Sequence, residues 1–353
     1  MEGVAMTRFE RTTAKILATL FGLIVTLLGG EGLLGKTPVA FAGPNPIGAC
    51  RTITTNSTLA ANIVATPTQN PCIVFGADNI ALFMDDHTID MRAVGLGAVA
   101  IETAGHTNVR VEGPGTVLTQ ETIPCAALVD PAVPPGSITV SGGSNVRIRD
   151  VSVQNVGPMG ASLMVATRCG TGIVVNGTPG ALLLDNLVDS YARGVWVVNS
   201  SNVAGGGASL IGHNIITNNS ASLDLPSFGL ALDGTSDWVV VHNIAVGNGG
   251  HTQFEAGITM TTIVGASGSN ENQIVGNSAD MNVGSGIEVF AGSIGNKIVE
   301  NHATGNSPAF ADLADDNNGG IFVPPGSNTW MFNNVCGSER GDIPPGVCPV
   351  TIP

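Results

Sequence analysis

The stretch "QIVGNSADMN" (273–282) is repeated in similar form further along the chain as "KIVENHATGN" (297–306). Both begin with an Ile-Val strand and place an asparagine at the fifth and tenth positions. The same slots recur in "LIGHNIITNN" (210–219) and "VVVHNIAVGN" (239–248). A chain that repeats its turn residues at fixed slots is built from a repeated structural unit.

A second phrase, a strand led by glycine, follows each of these. It reads "GLALD" at 229, "GITMT" at 257, "GIEVF" at 286 and "GIFVP" at 320, and the spacing between successive phrases varies. Fixed strands joined by variable turns are typical of a β-solenoid. Alternation along each strand predicts that Ile287 points inward and Glu288 outward, with Ile258, Ile287 and Ile321 in one interior row.

The repeated asparagines are predicted to form a ladder. Asparagine tolerates left-handed backbone and can bond to its own kind across the ~4.8 Å spacing between strands. Replacing Asn277 by alanine is predicted to cost about 1–3 kcal/mol of stability, because its partners would lose their bonds. Six residues share the first slot, namely Asn186, Asn214, Asn243, Asn277, Asn301 and Asn334.

The composition agrees with a β-structure. Only 11% of the 353 residues are charged and 48 are glycine. Disordered chains are richer in charge, whereas valine, isoleucine, threonine, glycine and asparagine favour strands and tight turns. The formal net charge is −14, which argues against nucleic acid or anionic membranes as partners.

Residues 1–42 differ from the rest and predict a signal peptide. A basic segment precedes the apolar run 16–28, and "AFA" ends at Ala42. The run is shorter than the ~20 residues that span a bilayer, although a membrane anchor remains the alternative. We therefore expect a secreted, periplasmic or extracellular protein with no membrane span after cleavage.

Six cysteines follow this segment, and an even count behind a signal peptide predicts disulfides. Neighbouring cysteines are expected to pair, with one pair at each end of the repeats. The predicted pairs are Cys50–Cys72, Cys125–Cys169 and Cys336–Cys348.

The repeats resemble the right-handed parallel β-helix family, the pectate-lyase-like superfamily. "GADNIALFMDDHTID" (76–90) and "SGGSNVRIRDVSVQN" (141–155) are similar to its coils. The resemblance implies an all-β, single-stranded parallel β-helix of about nine or ten coils. Residues 43–75 would form the N-terminal cap and first coil, 76–336 the helix, and 337–353 the C-terminal cap. The family hosts lyases, hydrolases, epimerases, adhesins and non-enzymes, so its fold does not name a reaction.

The residue before each ladder asparagine is expected to face outward. Asp185, His213 and His242 fill this slot on consecutive coils, so neighbours should lie ~5 Å apart. Such a column could supply a general base or bind a divalent metal, and we take these three as the candidate catalytic residues. The alternative is a solvated ridge of polar residues.

Short turns flanked by long ones predict two notches beside the Gly-led strands. One notch would place Arg193 and Trp196 on a substrate-binding floor, since aromatic faces stack on sugar rings. The other would offer His251, Glu255 and Glu288 to a substrate. The alternative is that these loops simply pack against the helix.

The acidic run at the end of the second notch could hold calcium through Asp312, Asp315 and Asp316, although such a stretch is more often a turn. No other cofactor is expected. Two functions stay open: a secreted protein that binds an extracellular polysaccharide, with or without cleaving it, and a non-catalytic structural or adhesive surface protein. Convergence of the titratable groups in one concavity would favour the first.

Overall fold

The computed structural model describes residues 43–121, 133–156, 168–202, 207–220, 226–249, 255–264, 267–317, 326–331 and 333–348. All of them belong to one compact unit, Gly43–Pro353. The described part of the chain contains strands and turns, with no helix of the length and hydropathy needed to cross a bilayer.

The strands are short, mostly of two to six residues. The first ten in chain order are β1 (Asn45–Ile47), β2 (Arg51–Ile53), β3 (Ser57–Leu59), β4 (Ile63–Val64), β5 (Ile73–Phe75), β6 (Ala81–Phe83), β7 (Thr88–Asp90), β8 (Ile101–Glu102), β9 (Arg110–Thr119) and β10 (Ile138–Ser141). The next ten are β11 (Arg147–Asn155), β12 (Thr171–Asn176), β13 (Leu182–Leu184), β14 (Leu187–Asp189), β15 (Arg193–Val198), β16 (Ser209–Gly212), β17 (Ile215–Thr217), β18 (Phe228–Asp233), β19 (Trp238–Val241) and β20 (Ile244–Val246). The last nine are β21 (Ala256–Thr261), β22 (Gln273–Val275), β23 (Ser285–Val289), β24 (Lys297–Val299), β25 (His302–Ala303), β26 (Leu313–Asp315), β27 (Thr329–Trp330), β28 (Val335–Cys336) and β29 (Glu339–Gly341).

These strands form two long sheets and one short pair. The first sheet runs β1-β3-β6-β9-β11-β13-β16-β19-β22-β24-β27, with β4, β7, β14, β17 and β20 beside that path. The second sheet runs β2-β5-β8-β10-β12-β15-β18-β21-β23-β26-β29, and β25 pairs with β28. Successive strands of one sheet pair in parallel, as in β18–β21 and β19–β22. The chain therefore passes from one sheet to the other and returns one coil further along, which confirms the predicted parallel β-helix.

The second sheet carries eleven strands in the described residues, more than the nine or ten coils predicted. Strands β1 to β5 lie within 43–75, the predicted N-terminal cap and first coil, and β29 lies within the predicted C-terminal cap.

The interior is a stack of aliphatic rows. Ile258 pairs with Ile287, which pairs with Leu313, and all three are fully buried. The prediction placed Ile321 in this row, but Leu313 occupies the next position. "GIFVP" at 320 was therefore the wrong choice of strand; Ile321 lies outside the described residues. The acidic neighbours of Leu313 had made its segment look like a loop.

The asparagine ladder is confirmed. The row runs Asn186–Asn214–Asn243–Asn277–Asn301–Asn334. After Asn186, each side-chain oxygen accepts bonds of 2.9 to 3.1 Å from the backbone and side-chain nitrogens of the asparagine one coil earlier. The second slot forms a parallel row, Asn219–Asn248–Asn282–Asn306. These buried amides satisfy one another, as burial requires.

A third ladder was missed from the sequence. Asn272, Asn296 and Asn328 are joined by bonds of 3.0 to 3.1 Å. Each asparagine directly precedes a strand of the first sheet, as in the "N" before "QIV" and before "KIV". The recurrence of asparagine directly before these strands is visible in the sequence and could have predicted this third ladder.

The glycine that leads each strand of the second sheet is required by close packing. A Cβ at Gly229 would lie 2.5 Å from the carbonyl oxygen of Gly257 and 2.8 Å from Nδ2 of Asn248. Gly257 meets Asn282 in the same way. The Gly-Ile phrase therefore recurs because the ladder and the next coil leave no space for a side chain there.

Two of the three predicted disulfides are confirmed, Cys50–Cys72 and Cys336–Cys348. Cys169 is disulfide-bonded, and its predicted partner Cys125 lies outside the described residues. The two confirmed bonds join neighbouring segments in the first and last coils.

Candidate functional site

The outer face of the second sheet carries a buried carboxylate near its C-terminal end. Glu288 on β23 lies in one row with Ala314 on β26 and Arg340 on β29. Because Ala314 is small, the Arg340 guanidinium reaches back over it, and its Nη2 donates to Oε1 of Glu288 at 2.8 Å. Glu288 is only 1% exposed. Its predicted outward direction alone would have suggested an exposed side chain.

Arg340 also holds a second carboxylate. Its Nη2 lies 3.3 Å from Oδ1 and 3.4 Å from Oδ2 of Asp316, which is partly exposed. The two carboxylates therefore contact the same nitrogen atom from two coils. Oε2 of Glu288 and Nε of Arg340 have no hydrogen-bond partner in the described part of the chain.

Burial raises the pKa of Glu288 to about 8; the charges of Asp316 and Glu255 add to this rise, and the charge and hydrogen bond of Arg340 oppose it. Burial also raises the pKa of Asp316, while the Arg340 charge opposes this rise. Around neutral pH Glu288 is thus mostly protonated, since desolvation disfavours its charged form.

These side chains line a cleft of about 370 Å³, and Phe290 and Phe310 complete its lining. The cleft brings together one protonated carboxyl, one second carboxyl, one guanidinium and two aromatic rings. Aromatic faces with a few placed polar groups are typical of sites that bind sugars or other ring-shaped ligands.

Two of the residues predicted for the second notch, Glu255 and Glu288, interact here, and their role in substrate binding stays a prediction. Glu255 is 2% exposed and its Oε1 accepts a bond of 3.4 Å from Ser227. Its charge acts on Glu288, so the two predicted residues lie in one electrostatic neighbourhood. His251 lies outside the described residues.

The predicted catalytic column is present as an exposed row. Asp185, His213 and His242 have left-handed φ angles of 57°, 56° and 52°, and all three side chains are exposed. The rings of His213 and His242 are 5.3 Å apart between centroids. Asp185 instead pairs with Arg149, whose Nε lies 3.1 Å from Oδ2. The row thus has the predicted spacing, and its catalytic role stays a prediction.

The binding floor predicted from Arg193 and Trp196 is covered rather than open, and its substrate-binding role stays a prediction. Trp196 is 2% exposed and packs edge-on against Phe228 at 5.9 Å. Arg193 is 5% exposed, its guanidinium carbon lies 4.9 Å from the Trp196 ring centre, and burial lowers its pKa to about 10. Apolar side chains cover this part of the outer face, namely Val133, Ile263 and Val264.

The three carboxylates suggested for calcium have different surroundings. Asp312 closes the second ladder, accepting Asn306 Nδ2 at 2.8 Å and the Gly337 amide at 2.8 Å. Asp315 points inward and accepts the indole nitrogen of Trp330 at 2.8 Å. Asp316 contacts Arg340. Within the described residues no group of three or more His, Cys, Asp or Glu side chains could hold a metal ion, and calcium binding stays a hypothesis.

Sequence reasoning missed Arg340 and Phe310. Arg340 was assigned to the C-terminal cap, and Phe310 lies in the turn before β26, which was read as a long loop. The signal for Arg340 was its outward slot in "ERG", one coil beyond "LAD".

A family profile described as "Right handed beta helix region" matches residues 136–336. The chain belongs to this family. No curated protein matches the chain.

Solved structures similar to the chain include enzymes and a binding protein. A periplasmic alginate epimerase shares 16% identity over 74% of this chain and 56% of its own, with a TM-score of 0.47. The polygalacturonase from Erwinia carotovora ssp. carotovora shares 12% over 80% of this chain and 81% of its own, with a TM-score of 0.37. The surface protein and adhesin of Streptococcus pneumoniae shares 12% over 80% of this chain and 67% of its own, with a TM-score of 0.42. The chain thus spans little more than half of the epimerase, and similarity at these levels says nothing about its activity.

Proposed function

We propose that this protein binds an extracellular polysaccharide in the Glu288 cleft and that Glu288 acts there as a proton donor. The observation that carries this proposal is the Glu288 carboxyl itself: it is buried, lines the cleft, has a raised pKa and has one oxygen with no hydrogen-bond partner among the described residues. A carboxyl held protonated near neutral pH is what a general acid in glycan cleavage requires.

The cleft contains the groups for a hydrolytic step. In the proposed step the Glu288 proton moves to the bridging oxygen as its bond to the anomeric carbon breaks. Asp316 takes a proton from a water molecule, whose oxygen bonds to that carbon. The surroundings support these different roles of the two carboxyls. The charge of Arg340 favours the ionised form of Asp316, while the deeper burial of Glu288 keeps Glu288 neutral.

The charge of the chain narrows the class of polysaccharide. A formal net charge of −14 repels polyanions, and Arg340 is already engaged by two carboxylates. A neutral polysaccharide therefore suits this cleft better than an acidic one.

A second candidate function is non-catalytic adhesion. Ile215 and Ile244 lie on the outer side of the first sheet and are each 43% exposed, and Val335, in the β25–β28 pair, is 47% exposed. Ile215 and Ile244 are adjacent on neighbouring coils. Exposed apolar residues in a row favour contact with a partner surface, which needs no proton donor.

An array of immobilised neutral and acidic glycans, probed with the full-length protein, identifies the ligand. Reducing-end and unsaturated-product assays then measure cleavage by the wild type, by Glu288→Gln and by Glu300→Gln. Glu300 is exposed and bonds only to Asn333 at its side chain in the described residues, so its variant is the matched control. We expect Glu288→Gln to lose about 10²- to 10⁴-fold in rate while it still binds the glycan.

The two candidate functions differ in this experiment. Binding without cleavage by the wild type, unaffected by either substitution, would support adhesion and sink the proposed acid. Cleavage that survives Glu288→Gln would contradict the assignment of Glu288.

A further inference from the structure

His213 and His242 form an arrangement that the proposed cleft does not use. They occupy the outward slot of neighbouring coils, His213 between β16 and β17 and His242 between β19 and β20. The His213 amide donates to the Val241 carbonyl at 3.1 Å, and the His242 amide to the Val275 carbonyl at 3.1 Å. Beside each lies a ladder asparagine, so the two backbones are held at a fixed spacing.

Both imidazole rings are exposed to solvent. Neither makes a hydrogen bond through its ring in the described part of the chain, and their centroids are 5.3 Å apart with planes tilted by 35°. Two other histidines differ. The Nδ1 of His106 lies 2.9 Å from Asp78, and that of His302 lies 2.8 Å from Asp280. In the described part of the chain, His213 and His242 thus place two ring nitrogens side by side.

We propose that His213 and His242 bind a divalent transition metal, with Cu(II) held most tightly. Imidazole nitrogen suits copper, nickel and zinc, and the order of affinity for a given nitrogen site peaks at copper. Exposed rings on adjacent coils can turn about their side-chain bonds to direct one nitrogen each at a shared ion. Water completes the coordination.

The neighbouring charges set the limits of the site. Asp185, one coil before His213, is held by Arg149, and Glu300 is separated from His242 by the coil that carries Gly276. The two imidazoles are thus the only protein ligands in the described residues. The negative charge of the chain attracts cations, but a site without oxygen ligands from the protein does not select calcium or magnesium.

Gly276 gives a way to extend the site. It fills the same slot on the next coil, and a Cβ there would lie 2.7 Å from Cδ2 and 2.9 Å from Nε2 of His242. Those atoms belong to an exposed side chain that can move aside. Its φ of 62° resembles that of the two histidines, so Gly276→His places a third imidazole on the row.

The test is calorimetric titration of the untagged full-length protein with copper chloride, with electron paramagnetic resonance to report nitrogen ligands. We expect one copper ion per chain. His213→Ala and His242→Ala should each weaken binding at least about tenfold, since even indirect supports of a metal cost 10- to 100-fold. His302→Ala is the control and should leave the affinity unchanged. Gly276→His should tighten binding, and a fall in pH should weaken it because the ligands must be deprotonated.

Circular dichroism checks that each variant keeps its β-structure. Copper binding by the His213→Ala and His242→Ala variants equal to that of the wild type would overturn the proposal. So would an equal loss in His302→Ala, which would show that copper binds scattered histidines. None of these results depends on the Glu288 cleft.

Discussion

Replacing Asn277 by alanine tests the ladder that organises the fold. The Asn277 side chain accepts bonds of 2.9 Å from both nitrogens of Asn243. Its Nδ2 donates to the Val240 carbonyl at 2.9 Å, to the Val275 carbonyl at 3.2 Å and to Oδ1 of Asn301 at 3.0 Å. Asn277 is 1% exposed, so water does not replace these bonds.

The cost follows from the groups left behind. The backbone amide of Asn243 loses its acceptor in a dry interior, which costs about 1–3 kcal/mol. The remaining lost bonds each contribute about 0.5–1.5 kcal/mol and are partly shared with other partners. We therefore expect Asn277→Ala to lower the free energy of unfolding by about 3 kcal/mol or more, at the upper end of the range predicted from sequence.

Urea unfolding followed by circular dichroism measures this loss. Asn333→Ala is the matched control, because Asn333 is exposed and lies directly before the ladder residue Asn334; it should change stability by less than about 1 kcal/mol. Equal stability of Asn277→Ala and Asn333→Ala would refute the ladder as a source of stability.

Three further predictions concern packing and buried charge. Gly229→Ala should cost about 1–3 kcal/mol in urea unfolding, because its Cβ meets Gly257 and the ladder, whereas Gly48→Ala, with open space around it, should be neutral; equal effects would contradict the packing argument. Burial raises the pKa of Glu121 to about 8, so the stability present below about pH 4.5 should fall as pH rises through 8, by at most about 1.4 kcal/mol per pH unit. Glu121→Gln should flatten this dependence of stability on pH. An unchanged slope in the variant would contradict the assignment of this effect to Glu121. Asp315→Asn should destabilise the protein by about 1–3 kcal/mol, because the Asp315 carboxylate accepts four hydrogen bonds. The loss should be the same with and without a chelator. A loss that vanishes when a chelator is added would instead support the calcium hypothesis.

The fold could be predicted because its determinants repeat. A residue such as Asn277 is constrained by the same partners on every coil, so its slot appears again and again in the sequence. The Gly-led strands repeat for the same reason. The failures lie where one coil departs from its neighbours, as at Leu313, where inward Asp315 replaces the usual aliphatic residue in order to bond Trp330.

The site was harder to predict because it depends on contacts that do not repeat from coil to coil. Glu288 was identified from its outward slot, but its burial depends on Arg340 reaching across Ala314 from a segment assigned to the cap. Trp196 had the same outward slot and is covered instead. Alternation gives the direction of a side chain, whereas the loops that cover it follow no period.

The pH dependence of cleavage tests the role of Glu288 most directly. The substrate is the neutral glycan that the array shows to bind best, and kcat/KM is measured between pH 6 and 10 for the wild type and Glu288→Gln. Because the Glu288 pKa is about 8, the wild-type value should fall as pH rises through 8, when the proton needed for the acid is lost. The residual activity of Glu288→Gln should lack this limb. A wild-type profile that is flat across pH 8, or an identical limb in Glu288→Gln, would contradict the account.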